Sequence, residues 1–162
     1  MKISKIIVEG PDCSGKSTLV ERLKNKLKWD SKSLHHKEGN QFQRYLHEYA
    51  FADNVVFDRS HISEEVYGTL WRGGSSFMKS EKEILDCLIK YNSIIIFACP
   101  PLDVMKERYK LKGFEQQISI EELEKSRELF LLRLINIPHL LYASRDYSEL
   151  NALLQKVVEM IK

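Results

Sequence analysis

Gly10-Pro11-Asp12-Cys13-Ser14-Gly15-Lys16-Ser17 is a complete G-x-x-x-x-G-K-S pattern, the form taken by loops that cradle phosphates. Ahead of it, Ile6, Ile7 and Val8 make a short β-branched apolar run, as in a buried strand. Behind it, Leu19, Val20, Leu23 and Leu27 recur at helical spacing on one face. Glycines let successive backbone N–H groups turn inward towards an anion, and the start of a helix adds unsatisfied donors. In this pattern Lys16 reaches the outer phosphates as a point charge and the Ser17 hydroxyl ligates Mg²⁺. The expected donor-nucleotide site is therefore Gly10, Asp12, Cys13, Ser14, Gly15, Lys16, Ser17 and Thr18. The alternative is a glycine-rich strand-to-helix turn with no ligand; the strand and helix flanks argue for the site.

The chain of 162 residues is read as one domain able to bury its own core. A formal charge of +2 speaks against a protein held to nucleic acid by bulk electrostatics, so no stable nucleic-acid partner is expected. Met1 to Lys5 leads straight into the first apolar run, which leaves no room for a signal peptide, and Ile94 to Cys99 is too short to span a bilayer. Cys13, Cys87 and Cys99 have no metal-like spacing, and an odd number cannot all pair within the chain. A reduced, cytoplasmic protein is expected. Cys13 reads as a small filler in the loop, with oxidation sensitivity as the alternative.

Apolar runs alternate with helical patterns along the whole chain, with no repeat, linker or low-complexity tract. Strands are expected at the first run, at Ser33 to His36, at Asn54 to Phe57, at Ile94 to Ala98 and at Leu140 to Ala143. Helices are expected at Gln41 to Ala52, Ile62 to Leu70, and from Pro101 to about Tyr109. Two S-x-x-E capping boxes, at Ser80–Glu83 and Ser119–Glu122, open further helices, and Ser148 is expected to cap the last one. Arg72-Gly73-Gly74-Ser75-Ser76 reads as a loop. Strands separated by helices require parallel pairing and right-handed crossovers, so the fold class is α/β, three-layered, with about five parallel strands flanked by helices. The phosphate loop then lies at the carboxyl edge of the sheet, where ligands of such folds bind.

A second constellation, Asp58-Arg59-Ser60-His61-Ile62-Ser63-Glu64-Glu65-Val66-Tyr67-Gly68, follows the third predicted strand. If that strand neighbours the first, Asp58 serves Mg²⁺ through water or takes a proton, and Arg59 clamps a second phosphate. A structural ion pair closing the strand end is the other reading.

Residues 9 to 19 and 58 to 68 together resemble the two signature segments of thymidylate kinases and their phage and viral relatives. Deoxynucleoside kinases are close cousins, and Asp58-Arg59-Ser60 is similar to their acidic-Arg-Ser motif. The resemblance implies a single P-loop nucleoside or nucleotide kinase domain over residues 1–162, with a short lid, ATP as donor and Mg²⁺ as metal. It implies that Asp12 accepts from the acceptor's sugar hydroxyl, that Arg59 holds the acceptor phosphate, and that Ser63 and Tyr67 line the pocket, with Arg72 within reach. Relatives often carry Gln after that Tyr; here stands Gly68, a departure from the pattern that touches the base.

Met105, Glu107, Arg108, Lys110, Lys112 and Gly113 resemble the helix-to-lid region. Some relatives carry a catalytic Arg in the phosphate loop, others in the lid. Cys13 occupies the loop position, so the resemblance implies Arg108 as the catalytic cation, with Lys110 and Lys112 behind it or on an ordinary solvated face. The catalytic set is then Lys16, Arg59, Asp58 and Arg108, and the metal set Ser17 and Asp58. Glu38 is a candidate base should the acceptor be a nucleoside, or a loop carboxylate in water. Phe42 and Arg44 either touch the base or pack; the five histidines have no ligand spacing.

The expected activity is phosphorylation of a deoxynucleoside monophosphate, dTMP-like, to the diphosphate. A deoxynucleoside kinase, an inactive nucleotide-binding regulatory protein and a kinase acting on a nucleotide within a polynucleotide are the alternatives. A small-molecule nucleotide partner is expected, with no membrane, and a homodimer is allowed by the resemblance. If the chain is viral, its compartment is the host cytoplasm.

Overall fold

The computed structural model describes residues 2–112 and 118–161. Five parallel strands form one sheet in the order β2-β3-β1-β4-β5. They are β1 (Lys5–Glu9), β2 (Asp30–Ser33), β3 (Val55–Asp58), β4 (Ser93–Ala98) and β5 (Leu140–Tyr142). Around them lie α1 (Lys16–Leu27), α2 (Gln41–Phe51), α3 (His61–Trp71), α4 (Lys79–Asn92), α5 (Leu102–Lys112), α6 (Ile120–Leu134) and α7 (Leu150–Ile161).

The strand period of two divides β1 between two helical layers. Ile6 and Val8 pack with Leu19 and Leu23 of α1 and Leu154 and Val157 of α7. Ile7 faces the other way, into Tyr45 and Tyr49 of α2, Ile62 and Val66 of α3, Leu85 and Ile89 of α4, and Phe130 of α6. The central strand is buried along its whole length, which explains its unbroken apolar run. Each strand is followed by a helix that returns the chain to the same edge, as parallel pairing demands. No helix among the described residues is long and apolar enough to cross a membrane.

Four boundaries differ from expectation. The second strand is Asp30–Ser33, paired from Asp30↔Val55 to Ser33↔Asp58, and not Ser33 to His36. It is an exposed edge strand, so burial leaves no apolar alternation to read. Helix α4 starts one residue before the predicted box: Glu81, not Glu83, reaches back and accepts from the Met78 N–H at 2.8 Å. Helix α5 runs on past Tyr109 to Lys112, which puts Lys110 and Lys112 on a helix; Gly113 lies outside the described residues. Before α7 the Ser148 N–H donates to Asp146 Oδ1 at 3.0 Å, and the Leu150 N–H bonds to the Tyr147 carbonyl, so the entry is an Asp-based turn and not a serine cap. The Ser119–Glu122 box is formed in both directions, at 3.1 and 2.7 Å.

Candidate active site

The register Val8↔Asp58 places the ends of β1 and β3 side by side, so the phosphate loop and the Asp58-Arg59 pair emerge together from the carboxyl edge. At Gly10 a Cβ would stand 2.2 Å from the Ala98 carbonyl oxygen, so β4 comes too close for any side chain. Gly15, in the left-handed region at φ 93°, ends the loop with no side-chain cap on α1. The first N–H groups of that helix are thereby left for a ligand. Ser17 and Thr18 are exposed on this first turn, whereas Lys16 is buried. The Lys16 ammonium donates to the Pro11 carbonyl at 2.6 Å. Burial, and then the Arg59 charge, press its pKa down to about 8, against the pull of Asp12, Asp58 and Glu9.

Arg59 takes a left-handed backbone, φ 77°, with its N–H bonded to the Val8 carbonyl at 3.0 Å. That turn aims its guanidinium back across the loop, where Nη2 meets Asp12 Oδ1 at 2.6 Å and the group lies over the Tyr67 ring at 4.8 Å. Burial works against the charge, but Tyr67 and Asp12 raise the pKa of Arg59 beyond its ordinary value. Asp12 is held low by Lys16 and Arg59 in spite of its own burial. Beneath them Glu9 is fully buried and accepts from the Ser60 hydroxyl, the Ser63 hydroxyl at 2.5 Å and the Ser63 N–H at 3.2 Å. Burial pushes Glu9 up, and the serine hydrogen bonds counter it. This carboxylate ties the start of α3 to the end of β1.

A cavity of about 530 Å³ opens beside this pair. Asp12, Arg59, Ser63, Tyr67 and Arg72 all line it, joined by His36, Glu64, Trp71 and Lys112. The Tyr67 and Trp71 rings stack at 4.8 Å, and Trp71 Nε1 donates to Glu122 at 2.9 Å. Arg72 folds back so that Nη2 donates to both the Glu64 carboxylate, at 2.5 Å, and the Glu64 carbonyl, at 3.2 Å. Gly68 makes this possible: a Cβ there would sit 2.6 Å from the Gly74 carbonyl and 3.1 Å from Arg72 Nη2. Glu38 lines a separate cavity of about 480 Å³ with Phe42, and Phe42 also packs against the core. Arg44 bonds the His35 carbonyl at 2.7 Å and lies over Tyr45.

Arg108 stands on the far side of the loop. Its Nη1 donates to the Ser14 carbonyl at 3.1 Å, its Nη2 to the Arg145 carbonyl at 3.1 Å, and it lies over the Tyr147 ring at 4.9 Å. Lys112, on the same helix, lines the cavity together with Arg59 and Arg72.

The donor set suits Mg²⁺. Among the described residues Asp58 Oδ1 is buried with no hydrogen-bond partner, at the end of the strand that pairs with β1, and the Ser17 residue on the first turn of α1 is exposed. A hard cation held by one carboxylate, one hydroxyl, phosphates and water needs no larger protein cage, and among the described residues no cluster of three or more His, Cys, Asp or Glu offers one.

No protein-family model matches the chain. The SPbeta prophage-derived protein YorR of Bacillus subtilis strain 168 is 28% identical over 130 residues, 77% of this chain and 78% of that protein. A crystal structure of YorR in complex with phosphorylated GDP is similar in fold, with a TM-score of 0.83 at 23% identity, covering 98% of this chain and 95% of that one. Deoxyadenosine kinase from M. mycoides, with products dCMP and a flexible dCDP bound, gives a TM-score of 0.64 at 15% identity over 98% and 100% of the two chains. Shikimate kinase from Acinetobacter baumannii, in complex with shikimate, gives 0.63 at 14% identity over 98% and 93%. The chain has the fold of P-loop kinases: five parallel strands flanked by seven helices. Shikimate is no nucleotide, so the fold by itself does not select the acceptor.

Proposed function

We propose that this protein is an ATP-dependent kinase that transfers the γ-phosphoryl group to a deoxynucleoside monophosphate. The observation that carries the reading is the Asp12–Arg59 pair at the mouth of the 530 Å³ cavity, directly beside the phosphate loop. A half-buried guanidinium held next to the donor site matches an acceptor that brings a phosphate of its own. The N–H groups of residues 12–18 and Lys16 hold the donor, and Arg59 aligns the acceptor phosphate with it. Asp12 exchanges part of its bond to Arg59 for the sugar hydroxyl. Ser63 and Tyr67 shape the wall behind the sugar. Mg²⁺ held by Ser17 and, through water, by Asp58 would supply charge neutralisation at the transferring phosphoryl group. Catalysis is then alignment plus electrostatics, with no strong base required. Arg108 braces the loop from outside, and Lys112 brings a cation towards the transferring group from the cavity side.

YorR was crystallised with a phosphorylated guanine nucleotide, which supports a nucleotide ligand for this fold. The deoxynucleoside kinase reading needs a carboxylate free to take a hydroxyl proton; Glu38 lines the other cavity, and the carboxylates that line this one, Asp12 and Glu64, are engaged by Arg59 and Arg72, which favours the monophosphate. The test offers ATP with each deoxynucleoside and each monophosphate. Turnover on nucleosides alone overturns the reading, and nucleotide binding without any turnover supports a regulatory protein instead. Arg59→Ala should raise the acceptor KM by about 10- to 100-fold, the scale of a lost charge-assisted hydrogen bond, and leave ATP affinity within about threefold.

A further inference from the structure

We propose that Trp71 is the platform on which the base of the acceptor stacks, so that the cavity recognises a nucleotide by its aromatic face and sorts bases by size, not by edge. The inference rests on the nucleotide-kinase reading above and deepens it.

Trp71 is an exposed indole that the fold holds still. It closes α3, is 43% exposed and lines the cavity. Its ring stacks on Tyr67 at 4.8 Å with 24° between the planes, and its Nε1 donates to Glu122 of α6 at 2.9 Å. Glu122 is fixed in turn, because its other oxygen accepts from the Ser119 N–H at 2.7 Å. Two contacts thus set the plane of the indole before any ligand arrives, and a surface ordered in advance costs a ligand less on binding. Among the described residues no ring other than Tyr67 packs against it.

The position of the indole fits the form of a nucleotide. The Arg59 guanidinium lies 4.8 Å over the Tyr67 ring, and the indole stands 4.8 Å from the same ring. Phosphate clamp and platform are therefore no more than two such steps apart, and Tyr67 touches both. A phosphate on Arg59 and a base on Trp71 leave the sugar over Tyr67 and Ser63, the wall that the reading above gives it.

The cavity's arginine leaves stacking to decide. Both edges of the Arg72 guanidinium that carry parallel N–H groups include Nη2, and that group gives its hydrogens to the Glu64 carboxylate and carbonyl. Ser76 Oγ and His36 Nδ1 meet the same carboxylate, at 2.9 and 3.0 Å. An aromatic face with no fork beside it accepts every base, since every base has a π-face, and holds the bicyclic ones better because more ring is covered.

Two substitutions separate the face from the hydrogen bond. Trp71→Leu keeps apolar bulk and loses both; Trp71→Phe keeps a face and loses only the bond to Glu122. With ATP saturating, Trp71→Leu should raise the KM for dGMP by about 5- to 100-fold, the range of one lost base–aromatic stack, and Trp71→Phe should raise it markedly less. Deoxyribose 5-phosphate, which has the phosphate and no base, should compete with dGMP equally well in all three proteins. Trp29, the other tryptophan, packs on the α1 and α7 side of the sheet, so Trp29→Phe isolates the emission of Trp71. In that background dGMP, dAMP, dCMP and dTMP should each quench the indole, and deoxyribose 5-phosphate should not. Purines should bind more tightly than pyrimidines, with dGMP and dAMP within about threefold of each other, as stacking without edge readout requires. Equal losses from Leu and Phe, an equal loss for the base-free sugar phosphate, or no quenching by a monophosphate that calorimetry shows to be bound overturns the inference and leaves the kinase reading intact. Quenching by the monophosphates without turnover on any of them does the reverse.

Discussion

Lys16 carries a charge into a place that resists it. Burial is the main reason, Arg59 the second, and together they leave its pKa at about 8, below the usual 10.5. The native state therefore gives up this proton before the unfolded chain does. Between about pH 8 and 10.5 this group makes the fold more stable as pH rises, and at neutral pH its charged form is a cost. That cost is the residue's readiness for phosphate, which supplies the missing counter-charge. Lys16→Met should thus raise the thermal midpoint of the ligand-free protein by about 2–4 °C per kcal/mol relieved, and abolish measurable ATP turnover. In the unmodified protein ATP affinity should fall as pH passes about 8, with proton uptake on binding; calorimetry in buffers of different ionisation heat reads both. A flat affinity across that range would speak against the charged lysine as the phosphate ligand.

At the scale of the element, α3 does the most for the site. Its first residues hang from Glu9 through Ser60 and Ser63, its entry is set by the left-handed Arg59, and its middle presents Ser63, Glu64 and Tyr67 to the cavity. Its end is turned back by the loop at residues 72–76, where the Arg72 and Gly74 N–H groups bond to the Gly68 carbonyl at 2.9 and 3.1 Å. A methyl group at Gly68 meets the Gly74 backbone carbonyl first, at 2.6 Å, and then the tip of Arg72. Gly68→Ala should cost about 1–3 kcal/mol in chemical denaturation, as overpacking does. It should also raise the acceptor KM more than the ATP KM, because the displaced loop carries Arg72.

Across the whole molecule, the layer opposite α1 and α7 is fastened by a charged network as well as by its apolar core. Arg133 of α6 bonds Glu65 of α3 and Asp86 of α4, each at 2.8 Å. His61 Nε2 meets the same Asp86 oxygen at 2.9 Å, and its Nδ1 meets Tyr49 of α2 at 3.0 Å. Burial pushes Asp86 upward, but the His61 and Arg133 hydrogen bonds outweigh it and hold the carboxyl at about 2, against an ordinary 3.8. Its contribution to stability is therefore complete above pH 3.8 and is lost as pH falls towards about 2. Arg133→Met should cost about 2–4 kcal/mol at neutral pH, since it strands two part-buried carboxylates, and should shrink the acid-induced loss in that window. Urea denaturation at a series of pH values reads both effects.

The phosphate loop, the alternation of strands and helices and the parallel sheet were legible in the sequence because each is written locally. A buried strand shows as an apolar run, a helix as a 3.6-residue period, and an anion-binding turn as glycines at fixed offsets. The exposed edge strand Asp30–Ser33 carried no such mark, since nothing buries it. The resemblance to known kinases also named Asp12, Arg59, Ser63, Tyr67 and Arg72, which the fold brings to one cavity. What only the tertiary structure decided are the partnerships between distant residues. Glu9 lies 51 residues from Ser60, and Glu64 28 residues from His36, and no local period relates either pair. Arg108 belongs to that class too: its helix could be read, but the neighbours that turn it to the outer side of the loop, Ser14 and Arg145, meet only when the sheet closes. Local sequence sets which backbone is cheap to form; the cavity and its charges depend on which carboxyl ends the sheet places side by side.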